Sequence, residues 1–113
     1  MKHSFIIPAR FTFSPAAIAA IERIRADWQA QFGDHPEIVS VAWGLYDFDN
    51  GKRGEGVIVS FYTREQRAEM AEFIQIVSGL ETIFFTIRRY APHFDGKVID
   101  FSNERFFFLR APA

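Results

Sequence analysis

Residues 37–62 read "EIVSVAWGLYDFDNGKRGEGVIVSFY", and the reading of this stretch decides the fold. Val, Ile, Trp and Tyr crowd residues 37–48 and again 56–62, the composition of strands that pack on a pleated surface. Between them stand Asp49, Asn50 and Gly51. Asn and Gly accept positive φ, so this is a strong hairpin signal, with "GKRGEG" lengthening the loop. "DFDNG" also opens like a calcium loop. Counted from Asp47, however, the position that needs glycine holds Lys52, and the hairpin reading stands.

Upstream, residues 3–7 and 10–13 form two short extended pieces separated by Pro8. Ser14 is a good helix cap, and Pro15 fits the first helical position. Ala17, Ile21, Ile24 and Trp28 then recur at helical spacing, with Ile18 widening the stripe. Gly33 ends the helix. Downstream, Thr63 and Gln66 match a capping box, and Met70, Phe73, Ile74 and Val77 follow an apolar i, i+3, i+4, i+7 pattern. The spacing predicts a second helix over 63–78. Strands are expected at 82–90 ("TIFFTIRRY"), 97–101 ("KVIDF") and 105–109 ("RFFFL"), joined by the turns "APHFDG" and "SNE". The expectation is one α+β domain over 1–113, a small mixed, mostly antiparallel β structure with two helices.

Composition narrows the chemistry. The 113 residues are 49% hydrophobic and include 14 Phe, but no Cys. Such a chain buries a core, and it has no disulfide, thiol nucleophile or Cys-ligated metal of its own. Thirteen basic and 14 acidic residues are interspersed, for a net charge of -1. A nucleic-acid groove needs clustered Lys and Arg, so no nucleic-acid partner is expected. The apolar runs fall short of the roughly 20 residues of a membrane helix, so no membrane association is expected. In "MKHSFIIPARF" Arg10 ends a brief apolar run, which points to a cytoplasmic protein.

Several residues are candidates for a site. His93, Asp95 and Asp100 are the nearest approach to a metal cluster, with His35 or Glu104 as residues that folding could add. Against this, Asp95-Gly96 is a common turn pair, and Asp100 suits an anchor for backbone or turn groups. No cofactor is expected. Lys52 and Arg53 lie in a loop between strands, whereas a phosphate cradle runs into a helix. With Arg10, Arg88 and Arg89 they are the residues from which a basic face would have to be assembled. Trp28 and Trp43 are candidates for core or for the wall of an apolar pocket. The consecutive apolar residues of "IFF" and "FFFL" break in–out alternation, so those strands are covered on both faces or meet another subunit. Phe84, Phe106, Phe107 and Phe108 are accordingly interface candidates, and a homodimer is expected.

Two segments resemble a known family. "FTFSPAAIAAIERI" is similar to the opening of the A-type iron–sulfur carrier (HesB-like) proteins, where a short β segment leads through Ser/Thr-x-x-Ala into a helix. "HFDGKVIDFSNERFFFLRAP" resembles that family's later signature, with Asp95, Gly96, Ile99, Asp100, Phe101 and Pro112 at matching places. The family binds iron or a cluster through three cysteines, and this chain has none, so no ligand residue carries over. The helix at 63–78 looks like an insertion. The resemblance implies a related β-rich fold with a packed helix. It also implies a non-catalytic, cysteine-free relative acting through protein–protein contact or small-ligand binding. The alternative is a small metal-dependent enzyme or metal binder using His93, Asp95 and Asp100.

Overall fold

A computed structural model describes residues 6–47 and 51–112. The expected hairpin is its longest feature. Strands β2 (Pro36–Asp47) and β3 (Arg53–Thr63) pair antiparallel from Asp47↔Arg53 to Pro36↔Thr63, with an irregularity between Pro36 and Ile38. The tip, residues 48–50, lies outside the described residues, as does most of the extended piece expected at 3–7. On the other side of β2 lies β5 (Leu80–Phe84), which runs parallel to it (Val39↔Thr82, Val41↔Phe84), and β4 (Gln75–Val77) pairs antiparallel with β5. The order is β3-β2-β5-β4. A second sheet has the order β1-β6-β7, built from β1 (Thr12–Phe13), β6 (Val98–Ser102) and β7 (Phe106–Arg110), with β1 parallel to β6 and β7 antiparallel to it. The architecture is a small α+β fold with mixed, mostly antiparallel sheets.

Helix α1 (Pro15–Phe32) forms where expected. The Ser14 hydroxyl accepts from the Ala17 N–H at 3.0 Å. Gly33 closes the helix at φ 75°, its N–H donating to the Gln29 carbonyl at 2.9 Å. Ala17, Ala20 and Ile21 are fully buried, and Ile18, Ile24 and Trp28 pack against the core from the same stripe. Phe11, Phe84 and Phe94 fill the centre. Their ring centroids lie 5.0 Å (Phe11–Phe84), 4.6 Å (Phe84–Phe94) and 5.6 Å (Phe11–Phe94) apart. Each such ring contributes about 1.5–3 kcal/mol through burial, and edge-on pairs add about 0.5–1.5 kcal/mol.

The second helix is shorter than predicted. Residues 64–73 form a 3₁₀ turn (Arg64–Gln66), one α turn, α2 (Arg67–Met70), and a second 3₁₀ turn (Ala71–Phe73), after which the chain becomes β4. The capping signal at its start is correct, since Gln66 Oε1 accepts from the Thr63 N–H at 2.8 Å. The apolar period misleads at its end. Gln75 is pulled into the sheet because its amide clamps the chain ahead of β1, accepting from the Ala9 N–H at 2.7 Å and donating to the Ile7 carbonyl at 2.9 Å. Ser78 and Gly79, at φ 50° and 83°, then make the two-residue turn that favours a hairpin. Arg67 ties the short helix down. It bonds Glu37 on β2 at 2.7 Å and grips Glu81 on β5 with both terminal nitrogens, one at 2.9 Å.

The strand expected at 82–90 begins at Leu80 and stops at Phe84. Consecutive i→i+3 turns follow from Ile87 to Phe94, where Pro92 cannot continue a ladder, and they carry Phe94 into the core. Covering of "IFF" on both faces holds for Ile83 and Phe84, which are buried, but not for Phe85 just past the end of β5, which is 42% exposed. Phe84, at 1% exposure, is therefore a core residue of this chain and not a surface contact. Among the other interface candidates, Phe107 and Phe108 are half-buried and Phe106 is 62% exposed.

Candidate functional site

The three metal candidates are not brought together. Asp100 spends its carboxylate on structure. Oδ1 accepts from the Ser14 hydroxyl at 2.6 Å and from the Phe101 N–H at 2.8 Å, and Oδ2 accepts from Arg110 Nε at 2.7 Å. These donors hold its pKa down at about 2, Ser14 contributing most and then Arg110. The expected anchoring role is thus what the geometry shows. One carboxylate joins the helix cap, β6 and β7. Asp95 lies exposed in the turn before Gly96, which adopts φ 72° and donates its N–H to the Arg10 carbonyl at 2.8 Å. His93 stacks on Trp43, the rings 5.1 Å apart and 11° from parallel. His35 is elsewhere, its Nδ1 3.3 Å from Gln29 Nε2. Among the described residues no three His, Cys, Asp or Glu side chains are placed to hold a metal ion.

The basic residues are also dispersed. Arg10 precedes β1, Lys52 lies just before β3 and Arg53 begins it, and Arg88 and Arg89 sit in the turn after β5. Arg89 leans on Tyr90, bonding its hydroxyl at 3.1 Å.

What the fold does assemble is a cleft of about 320 Å³, where β3, an edge of the first sheet, approaches β7, an edge of the second. Trp43, Val57, Phe107, Phe108 and Leu109 supply apolar wall, Gly56 adds a stretch of backbone, and Glu55, Glu104 and Arg105 supply charge. Each wall is fixed by local structure. His93 stacks on Trp43, Phe94 meets the indole edge-on at 5.9 Å, and Tyr90 lies 6.2 Å away. The indole Nε1–H donates to Glu55 Oε1 at 2.9 Å. Across the cleft, the Arg105 guanidinium lies 3.9 Å from the centre of the Phe108 ring. Glu104 makes no hydrogen bond or ion pair among the described residues.

The turn that presents Glu104 and Arg105 is strained. Phe106 takes φ 58°, a left-handed conformation that is an outlier for a bulky residue. The Arg105 N–H is tied to the Ser102 hydroxyl at 3.0 Å. Strain of this kind, about 1–3 kcal/mol, concentrates at binding and catalytic sites.

Of the pocket candidates, Trp43 lines the cleft, whereas Trp28 packs edge-on against Phe61 at 5.7 Å. Glu55 was not among the sequence candidates, although the hairpin carries its signal. Trp43 faces Val57 across the ladder, so Glu55, two residues along, is its diagonal neighbour on the same face, within reach of a long side chain. Comparison with family models, with curated proteins and with solved structures finds no match. Among the described residues no helix is long and apolar enough to cross a membrane.

Proposed function

We propose that this chain is a non-catalytic binding domain that takes a small ligand in the cleft between β3 and β7. The observation that carries the reading is the cleft itself. Its volume of about 320 Å³ falls within the range of small-molecule sites, and it combines an aromatic wall with a few fixed polar groups, the usual make-up of such sites. Trp43 makes the test direct. Titrating a fragment set into ¹⁵N-labelled protein should move the Trp43 indole N–H signal and leave that of Trp28 in place. A set in which no fragment moves it overturns the reading.

In this proposal the chain is a cytoplasmic, cysteine-free relative of the A-type carriers that holds no cluster, a kinship resting on the two sequence segments. A homodimer belongs to the same proposal, supported by Phe106 standing 62% exposed on the edge strand β7. The rival, a metal site at His93, Asp95 and Asp100, would require Asp100 to release Ser14 and Arg110. Calorimetric titration with Zn²⁺ or Mn²⁺ separates the two, because stoichiometric binding lost in Asp95→Ala would favour the rival.

A further inference from the structure

We propose that the cleft selects an organic cation, an ammonium group carried on an apolar or aromatic body. This rests on the binding-domain reading above and names its ligand class. Three observations converge on it. The rim carries two carboxylates, Glu55 and Glu104, against one guanidinium, Arg105, so its formal charge is negative. The single positive group is already engaged, since Arg105 lies 3.9 Å above the Phe108 ring, well inside the range of a cation–π contact. The stack occupies its face, and its in-plane N–H donors are the one feature of the rim that would draw an anion. Glu104, in contrast, has no partner among the described residues and is available to one.

The wall fits the same class. Aromatic faces attract cations through their quadrupole, and Trp does so best. His93 stacked against Trp43 and the 2.9 Å bond from its Nε1–H to Glu55 hold the indole and one rim carboxylate in a fixed relation. A cation entering beside Glu55 therefore meets a ring and a carboxylate placed in advance, without the ordering cost of assembling them. The apolar body would lie against Val57, Phe107 and Leu109. A volume of about 320 Å³ equals the space of roughly ten waters, enough for an arylalkylamine and too little for an extended peptide.

The test uses three probes of one shape. Phenethylamine is cationic at pH 7, 3-phenylpropionate anionic and 3-phenylpropanol neutral. Each is titrated into the full chain, and the Trp43 indole N–H shift is followed, with Trp28 as internal reference. The amine is expected to bind about tenfold more tightly than the acid, with the alcohol between them. In Glu104→Gln the preference for the amine should shrink several-fold while the alcohol keeps its affinity, a split that a merely structural role for Glu104 would not produce. If the acid binds more tightly than the amine, and Arg105→Gln removes that binding, the cleft is a site but the ligand class is wrong. If none of the three moves the Trp43 signal while another fragment of the wider set does, this inference alone falls; if no fragment moves it, the binding-domain reading falls as well.

Discussion

Two carboxylates in the C-terminal hairpin, four residues apart in sequence, have opposite fates. Asp100 on β6 accepts three hydrogen bonds, and Glu104 in the following turn has no partner among the described residues. A carboxylate whose lone pairs are already occupied is a structural joint, and a metal or substrate can reach it only by breaking the joint. A carboxylate held at the mouth of an aromatic cleft without a partner retains its full capacity for a ligand. Counting acidic residues cannot separate these two cases, whereas following each oxygen to its donor does.

The contrast can be broken by mutation. Asp100→Ala should be the most damaging, because it leaves Arg110 unpaired and deprives the Ser14 cap of its acceptor. A loss of about 2 kcal/mol, read by urea unfolding, is the scale of hydrogen bonds to a charged group. Glu104→Gln should leave the midpoint within about 0.5 kcal/mol of the parent, as exposed substitutions do. Equal effects at the two positions would end the distinction.

Acid sharpens it. Asp100 titrates at about 2 in the fold, below its ordinary 3.8. Its contribution is therefore present above pH 4 and is lost as pH falls through about 2. Glu37, bonded by Arg64 and Arg67, and Glu81, bonded by Arg67, are likewise lowered from 4.5 and act in the same direction. Stability should fall on acidification below about pH 4, and Asp100→Asn should flatten the lower part of that curve. A curve identical to the parent's would show that the donors around Asp100 contribute nothing to stability.

Local probes give smaller effects. Arg67→Met removes the grip on Glu37 and Glu81, and amide exchange should quicken across 64–73 with little change in α1. Phe106→Asn should be the mildest change, because Asn tolerates the left-handed backbone and Phe106 buries little surface. Stability is expected to rise by about 0.5 kcal/mol. If the parent sediments as the proposed dimer, its loss in this variant would instead assign that ring to the contact between copies.

Much of the fold was legible because short-range chemistry specified it. Ser14-Pro15 and Gly33 bound α1, Val-rich runs flank Asn50-Gly51, and Asp95-Gly96 marks a turn. The failures came where a distant group overrode a local period. The 3.6-residue pattern through Val77 gave way to Gln75, whose amide is needed by Ile7 and Ala9, and "TIRRY" left the sheet so that Phe94 could reach Phe11 and Phe84. The candidate site was half legible. Trp43 carried an aromatic signal and Asp100 an anchoring one. That β7 comes to lie beside β3, putting Glu104 and Arg105 across from Glu55, depends on how the two sheets meet, and no window of sequence contains it.

The bond from Ser14 to Asp100 spans 86 positions, and it sets a clock on biogenesis. A ribosome releases α1 early, but the acceptor for its capping hydroxyl and the strand that pairs with β1 emerge only after residue 98. Until then β1, which carries Phe13, has no strand to pair with. Non-local closure of this kind slows folding and lengthens the interval in which apolar surface is open to wrong partners. The nascent chain should therefore depend on holdase chaperones until β6 arrives.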